Sequence, residues 1–153
     1  MNNYQRVGAV SNAHAGREFE KLAQDYFTKE EGLELERNFS IPIGIGGLKK
    51  NHSFDLGCQD LGVIVECKSH NWTVTGNMPS AKVTVWNEAM YFFHLAPSHF
   101  RKVLFVLRSS HMTKNETLAE YYLRRYSHLI PSDVEVIEYE PFKNRASQLR
   151  SAA

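Results

Sequence analysis

Three residues with complementary chemistry lie close together in the chain: Asp55, Glu66 and Lys68. Glu66 and Lys68 follow the β-branched run at residues 63–65, which is typical of a buried strand. Because side chains on a strand alternate between its faces, Glu66 and Lys68 should point to the same side. A carboxylate and an ammonium at the end of a buried strand cost free energy unless they are paired or used. Two acids and a lysine at one sheet edge therefore suit a site for magnesium and phosphate.

The composition is that of an ordinary globular domain. The chain has 153 residues, of which 42% are apolar and 23% charged, and its formal net charge is +1. This charge gives no overall attraction to nucleic acid, so any basic patch must be local. No apolar run approaches the roughly 20 residues of a membrane span, and residues 1–10 contain no hydrophobic signal segment. We therefore expect a cytoplasmic protein without membrane contact, in which Cys58 and Cys67 are reduced.

Apolar residues at helical spacing predict three helices. The first has a stripe at i, i+3, i+4, i+7 and i+8, and Gly32 is its natural end. The second is apolar over a wide arc and ends before Pro97. The third should begin at Thr113, whose spacing to Glu116 makes a capping box. The predicted ranges are 11–31, 80–96 and 113–128.

Five strands are expected between these helices. The short connection at residues 59–62 favours an antiparallel hairpin, and the apolar run at 103–107 suits a central strand covered on both faces. The resulting order, α-β-β-β-α-β-α-β, predicts an α/β fold with one mixed sheet flanked by helices. Residues 1–153 should form a single domain, with an N-terminal arm at 1–10 and a basic, frayed tail at 142–153. The predicted strands are 33–43, 53–58, 63–68, 102–108 and 134–139.

The placement of the acids and the lysine resembles the PD-(D/E)xK nuclease superfamily, which includes restriction endonucleases and Holliday junction resolvases. Asp55 falls on the second strand and Glu66-Cys67-Lys68 on the third, within the order α-β-β-β-α-β. The resemblance covers about residues 11–110, and Phe54 stands where many members have proline. It implies a restriction-endonuclease-like core, αβββαβ, which is extended here by an extra C-terminal helix and strand.

The resemblance implies a role for each residue of the motif. Asp55 and Glu66 match the metal-binding acids, and the backbone carbonyl of Cys67 matches a further ligand. Lys68 matches the catalytic lysine, which orients the attacking water and stabilises charge on the phosphate. The implied cofactor is Mg²⁺, with Mn²⁺ as an alternative.

Further residues follow from the same resemblance. Many members carry a glutamate on the first helix at a Gly-x-x-x-Glu spacing, which Gly16 and Glu20 match, and Glu18 competes with Glu20 for this role. Glu20 would complete the catalytic and metal-binding set. His70 either contacts DNA or only belongs to the loop after the motif. The candidate DNA-binding residues are Lys49, Lys50, His52, His70, Lys82 and Asn87.

Two other interpretations of these residues are weaker. Asp55, Glu66 and Lys68 could form only an ion pair across a surface hairpin. His52, Cys58, Cys67 and His70 could suggest zinc, but their spacing is not that of a standard site, and buried structural cysteine is the better interpretation.

The sequence therefore predicts a Mg²⁺-dependent endodeoxyribonuclease that hydrolyses DNA phosphodiester bonds, as restriction endonucleases do. A homodimer with two sites would be the simplest way for one small domain to cut both strands. One alternative is a structure-selective Holliday junction resolvase or DNA repair nuclease. Another is a non-catalytic DNA-binding module on a nuclease-like fold.

Overall fold

The computed structural model describes residues 4–153, with side chains from residue 13 onward. Within this part of the chain, three α-helices surround one six-stranded sheet whose strand order follows the chain order. The predicted mixed α/β architecture and the order α-β-β-β-α-β-α-β are confirmed, and a sixth strand follows them. The helices are α1 (Tyr4–Glu31), α2 (Ser80–Leu95) and α3 (Leu118–Tyr126). The strands are β1 (Glu36–Ile43), β2 (Lys50–Cys58), β3 (Val63–Lys68), β4 (Arg101–Leu107), β5 (Val134–Glu140) and β6 (Arg145–Arg150).

The sheet is antiparallel at both edges and parallel in the middle. β1, β2 and β3 form an antiparallel meander, β3, β4 and β5 are parallel, and β6 returns antiparallel to β5. The predicted tight connection between β2 and β3 is a turn in which Gly62 N–H donates to the Gln59 carbonyl. Gly62 has a φ of +62°, which favours glycine. β4 is the buried central strand that its apolar run predicts.

Two core layers cover the two faces of the sheet. On one face, α1 buries Phe19, Ala23 and Phe27 against apolar side chains of β2 to β5. On the other face, α2 and α3 pack together, and Trp86 and Tyr122 are their largest buried side chains. The sheet is therefore covered on both sides, which disfavours unpaired polar groups within its central strands.

The ends of two helices differ from the prediction. α1 begins at Tyr4, so residues 4–10 are helical and not a loose arm, while residues 1–3 lie outside the described residues. The capping box of α3 is formed by Thr117 and Glu120, each of which accepts a hydrogen bond from the other's backbone N–H. A helix start at Thr113 is wrong because His111 Nδ1 accepts from the backbone N–H of Thr113, which holds that segment in a turn.

The predicted frayed tail is also wrong, because residues 145–150 form β6. Asn144 adopts a φ of +46° and lets the chain reverse after β5. Arg150 then donates to the carbonyl oxygens of Pro131 and Val134. β5 would otherwise expose an unpaired strand edge, so this pairing protects the sheet.

None of the helices in the described residues combines the length and apolarity that crossing a membrane requires.

Candidate active site

A cleft of about 510 Å³ opens at the carboxyl end of β3, between α1 and the start of α2. It contains all the residues predicted to be catalytic or metal-binding, and these come from α1, β2 and β3. Residues that are distant in sequence are therefore gathered by the fold on one surface. The predicted residues that line the cleft are Glu20, Asp55, Glu66, Cys67 and Lys68.

The cleft exists because β2 and β3 separate at Asp55. Their regular pairing ends at Leu56 opposite Val65. Phe54 packs in the core on the α2 side and Leu56 in the core on the α1 side, although a regular strand would place residues two apart on one face. The residue opposite this change on β1 is Asn38, which has a φ of +53°. β2 therefore turns about its own axis at Asp55 and directs this side chain between the strands.

The Asp55 side chain takes the place of a backbone hydrogen-bond acceptor for β3. Its Oδ2 atom accepts a hydrogen bond of 2.7 Å from the backbone N–H of Cys67, which the diverging strand no longer satisfies. This contact fixes the Asp55 carboxylate beside the Glu66-Cys67-Lys68 segment. The prediction that these residues belong to one site is consistent with this geometry.

Glu66 and Lys68 point to the same side, as expected from strand alternation. Lys68 Nζ donates to Glu66 Oε1 at 3.0 Å, and the two side chains are only 10% and 13% exposed. The second carboxylate oxygen, Glu66 Oε2, is buried without a hydrogen-bond partner in the described structure. A buried acceptor that lacks a partner costs about 1–3 kcal/mol, so this atom is suited to a ligand.

Asp55 is held in an environment that disfavours its charge. Burial raises its pKa to about 7, helped by repulsion from Glu66 and Glu20, while the Cys67 N–H and Lys68 act in the opposite direction. Burial of the carboxylate is the largest cause, and the two neighbouring acids add to it. A cation held by Asp55 and Glu66 would relieve the repulsion between them.

Glu20, and not Glu18, is the helix acid of the cleft. Glu18 is exposed and does not line the cleft, whereas Glu20 lines it and is only partly exposed. Glu20 Oε2 accepts from Arg37 Nη2 at 3.0 Å. Arg37 was not predicted as part of the site, because nothing in the sequence shows that β1 passes next to the first helix.

The Cys67 side chain points away from the cleft, as predicted. It packs against the core on the α1 side, and burial raises the pKa of its thiol. The thiol therefore stays neutral, and only the backbone carbonyl of Cys67 is available as a ligand.

The cleft is also lined by two lysines, Lys68 and Lys82. Of the predicted DNA-binding residues, His70 and Lys82 line it. Trp86 Nε1 donates to His70 Nδ1 at 2.7 Å. Trp86 is buried, and nothing in the sequence indicates its polar contact with His70. Acidic and basic groups thus line the same cleft.

The remaining predicted DNA-binding residues lie outside the cleft. Lys49 and Lys50 are exposed at the β1–β2 turn. His52 stacks on Phe92 with ring centroids 4.0 Å apart, so it packs on α2. Asn87 accepts a hydrogen bond from the Tyr122 hydroxyl at 2.9 Å and serves the contact between α2 and α3.

The carboxylates of the cleft are suited to Mg²⁺, although they are not gathered around one point. Among the described residues, no group of three His, Cys, Asp or Glu side chains is arranged to hold a metal ion. Mg²⁺ needs fewer protein ligands than this, since it keeps several waters and binds through one or two carboxylates. The unpartnered Glu66 Oε2 atom and the hard oxygen donor of Asp55 fit this requirement.

The fold and the cleft define a mixed α/β protein with an acid-and-lysine site where two strands diverge. No family model, curated protein or solved structure matches this chain.

Proposed function

We propose that this protein is a Mg²⁺-dependent nuclease that hydrolyses phosphodiester bonds in DNA, with Mn²⁺ as an alternative ion. The observation that carries the proposal is the meeting of Glu20, Asp55, Glu66 and Lys68 in one cleft. The resemblance to the PD-(D/E)xK superfamily predicts this meeting, and the element order α-β-β-β-α-β agrees with a restriction-endonuclease-like core.

The acids of the cleft would hold the metal ion. Asp55, Glu66 and the carbonyl of Cys67 are its ligands in this proposal, and Glu20 completes the acidic wall. When bound, Mg²⁺ would supply Lewis acidity, which lowers the pKa of water and neutralises charge on the phosphate. The burial of the Asp55 carboxylate next to Glu66 and Glu20 supports this assignment, because a bound cation would stabilise its charged form.

Lys68 would act on the reacting phosphate from its position beside Glu66. Its ammonium group is held by Glu66, so its position in the cleft is fixed before the substrate binds. A compact positive charge there stabilises the charge that develops on the phosphate and orients the attacking water. Lys82 would add a second positive charge for the DNA backbone.

The low exposure of Glu66 and Lys68 argues against a purely structural ion pair. Surface pairs of lysine and glutamate are common, but Glu66 and Lys68 are nearly buried and leave one carboxylate oxygen without a partner. A fold that needed only stability would lose little by replacing them with apolar residues. A non-catalytic DNA-binding module would likewise have no use for the three acids.

The direct test is a cleavage assay. Purified protein is incubated with supercoiled plasmid, linear duplex, single-stranded DNA and a four-way junction, with Mg²⁺ or with EDTA. We expect cleavage of at least one substrate that EDTA abolishes. Discrete fragments would favour a restriction-type enzyme, and symmetric nicks at the junction a resolvase. Sedimentation of the protein bound to the substrate that it cleaves tests whether it acts as the homodimer expected from the sequence. If no substrate is cut with either Mg²⁺ or Mn²⁺, the nuclease proposal is wrong.

Glu20 and Glu18 offer a matched test of the acidic wall. Both lie on α1, two residues apart, but only Glu20 lines the cleft. We expect Glu20→Gln to lower the cleavage rate by about tenfold or more, because one acid of the metal-binding wall is lost. Glu18→Gln should leave the rate within about twofold, since this side chain is exposed to solvent.

The measurement is the single-turnover rate as a function of Mg²⁺ concentration. Loss of Glu20 should also raise the Mg²⁺ concentration needed for half-maximal rate. Equal effects of the two substitutions would exclude Glu20 from the site.

A further inference from the structure

A hydrogen bond from the buried Trp86 side chain holds His70 in one orientation. Trp86 is only 1% exposed, and its indole N–H, which can only donate, lies 2.7 Å from His70 Nδ1. His70 Nδ1 must therefore be an acceptor. A neutral imidazole has one donor and one acceptor nitrogen, so the proton of His70 lies on Nε2.

The surroundings keep this ring neutral. Burial lowers the pKa of His70 to about 4, and the positive charges of Lys68 and Lys82 act in the same direction. A proton on Nδ1 would also point at the Trp86 N–H and break their hydrogen bond. At neutral pH, His70 is therefore an uncharged group with a fixed N–H donor.

The donor atom is available to a ligand. Among the described residues, His70 Nε2 has no hydrogen-bond partner, and it is not one of the atoms sealed from solvent. The ring lines the cleft next to Lys68 and Lys82. Because Nε2 carries the proton, it has no lone pair to offer a metal ion. The Nε2–H group suits a negatively charged hydrogen-bond acceptor, such as a phosphate oxygen.

We propose that His70 is a substrate-binding residue whose Nε2–H donates a hydrogen bond to a non-bridging oxygen of the DNA phosphate, and that Trp86 is the positioning residue that fixes its tautomer. This inference rests on the proposed function and deepens it. The ammonium groups of Lys68 and Lys82 attract a phosphate with little directional preference. The fixed N–H of the neutral imidazole makes a directional hydrogen bond. A third cation at this position would be repelled by the two lysines.

Two substitutions separate the donor from the structural contact. In His70→Asn, the short amide reaches about the position of Nδ1 and can still accept from Trp86, but no donor reaches the cleft. In His70→Gln, the longer amide reaches about the position of Nε2 and can still donate to the cleft, but the contact with Trp86 is lost. The probe is thymidine 3′,5′-bisphosphate in the presence of Mg²⁺.

We expect His70→Asn to weaken binding of the bisphosphate by about tenfold, which is typical for loss of a hydrogen bond to a charged group. His70→Gln should bind within about threefold of the unsubstituted protein, even where its melting temperature is lower. If His70 has only a structural role, the order is reversed: His70→Asn binds normally and His70→Gln loses affinity. That result would overturn the inference.

Nitrogen-15 NMR of the histidine and lysine side chains tests the tautomer directly. The signals of His70 are assigned because they are absent from the spectrum of His70→Asn. They should show the Nε2–H tautomer at pH 7 and should shift when the bisphosphate is added. The Nδ1–H tautomer would overturn the inference.

The same titration distinguishes this inference from the proposed function. An unchanged His70 signal together with shifted Lys68 and Lys82 signals would overturn the inference while the nuclease proposal stands. Absence of any shift in the cleft, together with absence of cleavage, would overturn both.

Discussion

Asp55→Asn is expected to stabilise the metal-free protein at pH 8 by on the order of 2 kcal/mol and to abolish Mg²⁺-dependent cleavage. Asparagine has the shape of aspartate, and its Oδ1 atom can still accept from the Cys67 N–H that Asp55 binds now. The substitution removes the cost of burying a charge, which is the larger effect, and the repulsion from Glu66 and Glu20. It also removes a proposed metal ligand, so stability and activity should change in opposite directions.

The stabilisation should depend on pH in a defined direction. The pKa of Asp55 is about 7 in the folded protein, above its usual value of 3.8. Between these two values the folded state binds more protons than the unfolded state, so the contribution of Asp55 to stability falls as pH rises through this range. Asp55→Asn does not lose stability in this way. Its gain in the free energy of unfolding over the unsubstituted protein should be small at pH 4, should grow up to about pH 7 and should then stay constant.

The measurement is urea unfolding of both proteins in EDTA at a series of pH values. Asp60→Asn is a suitable control, because Asp60 is exposed in the turn between β2 and β3. This control should show no gain in stability that depends on pH. If Asp55→Asn is less stable than the unsubstituted protein at pH 8, the Asp55 carboxylate is not under the electrostatic strain that the geometry indicates.

Local patterns in the sequence were sufficient to predict the elements that position this site. The β-branched run before Glu66, the turn at 59–62 and the apolar run of β4 each have a period or composition that specifies one type of element. Strand alternation then correctly separated Glu66 and Lys68 from Cys67. These features depend only on neighbours in the chain, which is why they could be predicted.

Other features depend on contacts between distant segments and could not be predicted. β6 forms because β5 offers an unpaired edge, although its own sequence, with Arg145 and Arg150 at its ends, resembles a polar tail. The start of α3 moved from Thr113 to Thr117 because both positions offer a capping pattern, and the His111 ring holds the first one in a turn. Local sequence does not distinguish two such starts.

The electrostatic state of the site also follows from distant contacts. The divergence of β2 and β3 at Asp55 brings two carboxylates together, and the Trp86 indole sets the tautomer of His70. The sequence shows which groups are present but not how far apart they are. The charge and proton positions that determine their chemistry therefore required the structure.

Lys68→Met is expected to lower the cleavage rate by about a thousandfold or more and to destabilise the protein by about 3 kcal/mol. The loss of activity follows from removing the positive charge that Glu66 holds in the cleft. The loss of stability follows because Glu66, which is 13% exposed, is left as a buried charge without its partner. The measurements are single-turnover cleavage and urea unfolding at the same pH.

A second substitution separates these two effects. In Lys68→Met with Glu66→Gln, no unpaired charge remains, so most of the lost stability should return. Activity should not return, because the double variant lacks both a metal ligand and the lysine. If activity returns together with stability, the single substitution acted only by unfolding the protein, and Lys68 is not part of the chemistry.

Lys102 provides the matched control for a buried lysine. Its side chain is 3% exposed and its Nζ atom binds Asp133 Oδ2 at 2.6 Å, near the start of β4 and away from the residues that line the cleft. Lys102→Met should destabilise the protein less than Lys68→Met, since the acid that it leaves without its partner, Asp133, is 36% exposed and can be solvated. The cleavage rate per folded molecule should stay within about twofold, because Lys102 contacts no part of the site. A loss of activity as large as that of Lys68→Met would mean that the assay responds to stability and not to the cleft.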